Sequence, residues 1–155
     1  MIQRKQSLWL LIAALLNCGV FYFDLYKYHV SNNMLLGKDK LPVPVDTFNR
    51  IQVINHYPSL IIALVMTVLP LVAIFMFKVR KRQVGLSIVA MLSTLSFITL
   101  TLQRITHISK LPSPPFDESY GIGAVLPVVA VAFIILAIIG IRKDDKLVKS
   151  MDRLR

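Results

Sequence analysis

The chain has 155 residues, 55% of them hydrophobic and 17% charged, and eighteen Lys and Arg against eight Asp and Glu leave a net charge of +10. A mean hydropathy of +0.65 is too high for an ordinary soluble domain, and so apolar a composition excludes intrinsic disorder. The single cysteine excludes an intramolecular disulfide, a CxxC redox pair and a cysteine-based zinc site, and the length suits one domain, residues 1–155.

The first apolar run extends from about Ser7 to Tyr28. Arg4 and Lys5 precede it and Cys18 lies within it, much as at a lipoprotein cleavage site. Asn17, however, stands where a small residue is needed, and apolar residues continue through Val20–Phe23, so the expectation is an uncleaved first helix. Asn17 falls near mid-membrane and is expected to hydrogen-bond across helices, with Cys18 beside it as a small buried filler. Asp24 lies nearer the outer end, where Arg104 at the end of span three or Lys27 three residues on would pair with it.

A long loop follows, from His29 to His56. Gly37-Lys38-Asp39 is a turn signal, Leu41-Pro42-Val43-Pro44-Val45 cannot be helical, and Phe48–Ile54 alternates like a short strand. A small hairpin on the outer membrane surface is expected. Two further apolar runs cover Pro58–Phe77 and Val84–Leu102. In the latter, Ser87, Thr94 and Thr101 recur every seven residues and face one way, as small hydroxylated residues do where helices pack and hydrogen-bond. Gln103–Tyr120 contains Pro112-Ser113-Pro114-Pro115 and reads as extended, polyproline-like chain. The last run covers Gly121–Ile141, and Pro70 and Pro127 are expected to kink their helices, Pro127 freeing the carbonyl of Gly123. Each run, at 19 to 22 residues, makes about 29–33 Å of helix, close to the ~30 Å of a hydrocarbon core. A soluble bundle would need a polar face on every helix, and Leu60–Phe77 and Ala124–Ile141 have none.

Charge placement sets the orientation. Arg4 and Lys5, the connection with Lys78, Arg80, Lys81 and Arg82, and the tail with Arg142, Lys143, Lys146, Lys149, Arg153 and Arg155 share one side of a four-span chain and hold twelve of its eighteen basic residues. The positive-inside rule puts both termini in the cytoplasm. The net charge is then mostly topology, and no nucleic-acid partner is expected. In the tail, Arg142, Lys146, Lys149 and Arg153 form one helical stripe beside an apolar stripe of Leu147, Met151 and Leu154. Span four should therefore run on as an amphipathic helix, bending near Gly140, to contact anionic lipid or a cytoplasmic partner.

His29, His56 and His107 end spans one, two and three on the outer side, but their spacing is no metal motif. No acidic residue lies at the centre of a span, which disfavours a proton-coupled antiporter, and no GxxxxGK[ST], GxSxG or HExxH motif occurs. No catalytic residue, cofactor or metal is expected.

Met1-Ile2-Gln3-Arg4, Tyr120-Gly121-Ile122-Gly123-Ala124-Val125-Leu126-Pro127 and the closing segment from Arg142 to Arg155 together resemble the bacterial membrane family catalogued as domain of unknown function 4293. Lys5, Asp145 and Met151 depart mildly from its pattern, which has an apolar residue, Glu and a small residue there. The resemblance implies a Gram-negative inner-membrane location and brings no activity with it. The resulting expectation is an all-α membrane protein with four transmembrane helices, cytoplasmic termini and an amphipathic C-terminal helix extending span four. It would be a non-catalytic accessory or scaffold subunit, with homo-oligomerisation left open. The alternative is a small transporter or channel using Asn17, the hydroxyls of span three and the proline kinks, with Asp24 and Arg104 as the other polar residues of spans one and three.

Overall fold

In the computed structural model, which describes residues 5–36, 41–77, 79–110 and 117–152, the apolar runs become four helices. They are α1 (Lys5–Gly19), α2 (Tyr57–Phe75), α3 (Arg80–Ile108) and α4 (Ile122–Asp152). The intervening chain supplies three strands among the described residues, β1 (Tyr26–Leu36), β2 (Leu41–Ile51) and β3 (Asp117–Tyr120). The helices close a ring, each packing on the next in the order α1, α2, α3, α4 and α4 returning to α1. Short connections hold the middle pair antiparallel: the Val79 amide donates to the Met76 carbonyl (3.1 Å) between α2 and α3. The α1 N-terminus, the α2–α3 turn and the end of α4 thus share one end of the bundle, and the sheet lies at the other.

Small residues face inward. Ala63 and Ala73 of α2, Ser87, Ala90 and Thr94 of α3, and Ala130 and Ala137 of α4 are fully or almost fully buried. Large apolar residues face out, among them Leu64, Val68, Phe75, Val128 and Ile139. Small interior residues let helix backbones approach closely, and the outer belt is far more apolar than a soluble monomer tolerates. Helices α2, α3 and α4 are long and apolar enough to cross a membrane.

The expected first span is corrected. Its helix ends at Gly19 rather than near Tyr28, and its 15 residues make about 22 Å, short of a ~30 Å core. The chain then turns through Val20–Leu25 and enters β1 at Tyr26. Strand pairing wins over helix continuation here: Tyr26 faces Ile51 across β2 and Tyr120 across β3. β1 is therefore the centre of an antiparallel sheet ordered β2-β1-β3. The hairpin is longer than the expected short strand, with eleven residues in each arm. Pro42 and Pro44 lie in β2, an edge strand, where a missing amide donor is tolerated. The Gly37-Lys38-Asp39 turn and the Pro112–Pro115 segment lie outside the described residues.

α4 runs through Gly140 as one 31-residue helix, the expected continuation of span four into the tail. Gly140 is explained by packing: an added Cβ would come 2.7 Å from Cγ of Gln6. Pro70 and Pro127 both lie inside continuous helices.

The sheet is tied to the bundle through main chain. The amide of Gly121 donates to the carbonyl of Leu25 (3.0 Å), that of Gly123 to the carbonyl of Asp24 (3.2 Å), and that of Leu25 to the carbonyl of Ile51 (2.9 Å). A Cβ on Gly121 would fall 1.9 Å from the Asp24 carbonyl oxygen, an approach only glycine permits. Gly85, in α3, has nothing within 4 Å of such an atom. Gly121→Ala should therefore lower the melting temperature in detergent, whereas Gly85→Ala should raise it slightly, by the ~1 kcal/mol that separates the two residues in a helix. A Gly121→Ala protein as stable as the parent would contradict the main-chain junction.

Candidate functional site

Three polar groupings bear on function. The first lies inside the bundle. Pro70 has no amide hydrogen, so the carbonyl of Met66, four residues earlier, has no donor within α2. Nδ2 of Asn17, fully buried on α1, donates to that carbonyl at 2.9 Å. The expected cross-helix bond of Asn17 is thus made to a carbonyl that the proline exposes. Asn17 Oδ1 is buried without a partner among the described residues. The hydroxyls of α3 bond within their own helix rather than to a neighbour. Ser87 donates to the Gln83 carbonyl (2.9 Å), Thr94 to that of Ala90 (2.8 Å) and Thr101 to that of Phe97 (2.9 Å). All three are buried, so they give α3 a small-residue face and leave few donors to line a path.

The second grouping centres on Asp24, between α1 and β1. Nε2 of Gln52 donates to its Oδ1 (2.7 Å), while Lys27 Nζ (3.6 Å) and Arg50 Nη1 (3.9 Å) approach Oδ2. Of the two expected partners, Lys27 approaches Asp24 and Arg104 does not pair with it among the described residues. The β1–β2 register sets Lys27 opposite Arg50 and brings both cations back to the carboxylate instead. Nη1 of Arg104 is buried without a hydrogen-bond partner among the described residues. Its charge acts on His56, the cap of α2. Nδ1 of His56 accepts from the Ser59 amide (3.3 Å) and lies 2.8 Å from the Ser59 hydroxyl. Pro58, in the first turn, suits this helix start. Burial lowers the His56 pKa, and the Arg104 cation lowers it further. Nearby, Tyr26 is fully buried and packs on Tyr28 and Tyr120, with ring centroids 5.8 and 5.5 Å away. Burial pushes its phenol well above its ordinary value, with the Glu118 carboxylate adding to the shift. His29, His56 and His107 do not gather: among the described residues no three His, Cys, Asp or Glu side chains stand where they could share a metal. An apolar cavity of about 380 Å³ opens between α3 and α4 at this end, bordered by Phe97, Thr101, Tyr120 and Val128.

The third grouping lies at the opposite, basic end. Nε2 of Gln6, a buried residue of α1, donates to the Gly140 carbonyl (3.1 Å) and to the Asp144 carboxylate. Arg80 Nη1 of α3 donates to the Asp144 carbonyl (3.3 Å). Beside these contacts is a cavity of about 340 Å³, lined by Arg80, Lys81 and Val84 of α3 and by Arg142, Asp145 and Lys146 of α4. Two members of the expected basic stripe, Arg142 and Lys146, therefore share a cavity with Arg80 and Lys81, which in the sequence carry only a topological signal. Lys149 continues the helix, its side chain lying outside the described residues together with Arg153.

Fold and polar groupings together define a mostly helical protein with helices suited to crossing a membrane and a basic cavity at the end opposite the sheet. The chain belongs to the family described as domain of unknown function DUF4293, which matches residues 2–154. No match to a curated protein was found.

Two consequences can be measured. Asn17→Leu strands the Met66 carbonyl and should cost about 1–2 kcal/mol of bundle stability. In a Pro70→Ala background the residue-70 amide can reach that carbonyl, so the same change should cost less, and a double-mutant cycle should show the coupling. Additive effects would mean that the two residues do not share the carbonyl.

The His56 cap should make the bundle sensitive to acid. Its folded pKa lies below the ordinary 6.5, so the folded state favours the neutral ring. Stability is then fully present above pH ~6.5 and falls as pH drops from there towards the folded value. Between pH 7.5 and 5.5 the Ser59 amide should lose protection, up to the ~1 kcal/mol a helix cap contributes. Hydrogen exchange corrected for intrinsic rates reads this directly, and His56→Gln should remove the pH dependence.

Proposed function

We propose that this protein is a polytopic protein of the bacterial inner membrane, threaded four times with both termini in the cytoplasm. In this reading it is a non-catalytic accessory or scaffold subunit whose basic C-terminal helix contacts a partner or anionic lipid. The observation that carries the reading is the continuity of α4. It leaves its apolar section at Ile141 and runs on to Asp152 as the same helix, with Arg142, Lys143 and Lys146 exposed. A charged arm that is one piece with a spanning helix presents its cations at fixed positions, which a flexible basic tail would not do. The up-and-down ring supports an even number of crossings, with α1 and the turns through Val20–Leu25 together making the first. The gathering of basic residues at the end opposite the sheet supports a cytoplasmic placement of that end.

The transporter reading draws less support. The amide of Asn17 is taken by Met66, the span-three hydroxyls by their own helix, and Asp24 by Lys27, Arg50 and Gln52.

Purification in mild detergent from cells at native expression level tests the accessory role. The full chain should bring down a defined set of proteins that a chain ending at Ile141 does not. Identical sets from both would remove the contact through the C-terminal helix.

A further inference from the structure

We infer that the basic cavity between α3 and α4 seats the phosphate of an anionic phospholipid headgroup. The inference rests on the reading that the bundle lies in a bilayer with its basic end at the surface, and it assigns that end a particular ligand. Four cations from two helices line the cavity: Arg80 and Lys81 from α3, Arg142 and Lys146 from α4. One carboxylate, Asp145, lines it with them. The neighbouring Asp144, whose carboxylate accepts from Gln6 of α1, does not line the cavity, so the lining itself sets four positive charges against one negative. A positive-inside bias explains the sign of these charges but not their convergence on one walled space.

Two further features select a phosphate at headgroup depth. Arg80 donates to the Asp144 carbonyl through Nη1, and a guanidinium has five donors in a planar fork suited to phosphate oxygens. α3 also begins without a side-chain cap and without an acid in its first turn. Its positive dipole end and the cations of Arg80 and Lys81 therefore repel each other unless an anion lies between them. As for depth, Val84 opens the apolar run of α3 and Ile141 closes that of α4. The cavity includes Val84 itself and Arg142, the residue after Ile141, so it straddles the line where hydrocarbon gives way to polar headgroups. A soluble phosphate would have no reason to be met at that line, whereas a phospholipid places its phosphodiester there with its acyl chains against the apolar belt.

Native mass spectrometry of the full chain in delipidated micelles tests this, using phosphatidylglycerol and phosphatidylcholine with matched acyl chains. The protein should retain phosphatidylglycerol about tenfold better, and Arg142→Gln/Lys146→Gln should abolish most of that preference. Arg80→Gln/Lys81→Gln should do the same from the other wall, which guards against a local packing defect in either helix. Lys143→Gln, which removes one charge of α4 beside the cavity rather than in it, should leave retention unchanged, whereas Arg142→Gln alone should lower it. Equal retention of the two lipids would overturn the inference. So would a loss from Lys143→Gln as large as that from the single Arg142→Gln variant, which would mean a diffuse basic rim. Displacement of phosphatidylglycerol by millimolar inorganic phosphate would reassign the seat to a soluble anion. Unchanged lipid preference in both double variants, together with loss of protein partners on truncation at Ile141, would remove the lipid seat and leave the accessory reading standing.

Discussion

Within hydrocarbon every backbone carbonyl needs a donor from the protein itself, and the bundle is organised around the one place where α2 breaks that rule. Pro70 leaves Met66 without its helical partner, and Asn17 of α1 supplies the missing hydrogen. The bond fixes the rotation of α1 against α2 and the height at which they meet. It also gives a buried polar residue a structural reason to sit inside an otherwise apolar ring. Small side chains on all four helices then let the ring close. The three hydroxyls of α3 are accommodated because each bonds a carbonyl of its own helix, so none demands a partner from across the ring.

The sheet solves the corresponding problem at the other end. Four helices of unequal length leave loops whose backbone groups need partners. β1 supplies them by pairing with β2 on one side and β3 on the other, and the Gly121 and Gly123 amides join this sheet to the start of α4. Asp24 sits at the junction with both its backbone carbonyl and its carboxylate engaged. A partly buried charge at such a point is tolerable because Lys27, Arg50 and Gln52 surround it.

Much of this was legible from residue order alone. α2, α3 and α4 follow from apolar runs of membrane length, and the helical reach of the tail follows from the spacing of Arg142, Lys146 and Lys149. The end of α1 was not legible, because hydropathy is blind to conformation: Val20–Phe23 is as apolar as the helix before it, and only pairing with β2 and β3 makes Tyr26 onward a strand. β3 is four residues long and exists through its partner, so no local pattern marks it. For Asp24 the local spacing points to Lys27, which does approach it, while nearness to the same membrane face points to Arg104, which does not. Its other neighbours, Arg50 and Gln52, reach it through a hairpin register that distance along the chain hides. Arg80 and Lys81 were visible only as charges that orient a chain, since their meeting with Arg142 and Lys146 depends on α3 and α4 being adjacent. The role of Asn17 had a sequence signal, a buried proline in need of a donor and one amide at similar depth, but which carbonyl it serves is settled only by the pairing of α1 with α2.

The contacts of α1 have a bearing on how the molecule is made. α1 is the shortest of the four helices, and its two buried amides are completed by segments made after it. Asn17 waits for Met66, and Gln6 waits for Gly140 and Asp144, nearly the whole length of the chain away. Until α4 is inserted, α1 has nothing to hold one of its flanks, and the ring has a gap where its first and last members should touch. Closure of the ring therefore waits on α4, the member that docks against the helix made before the other three.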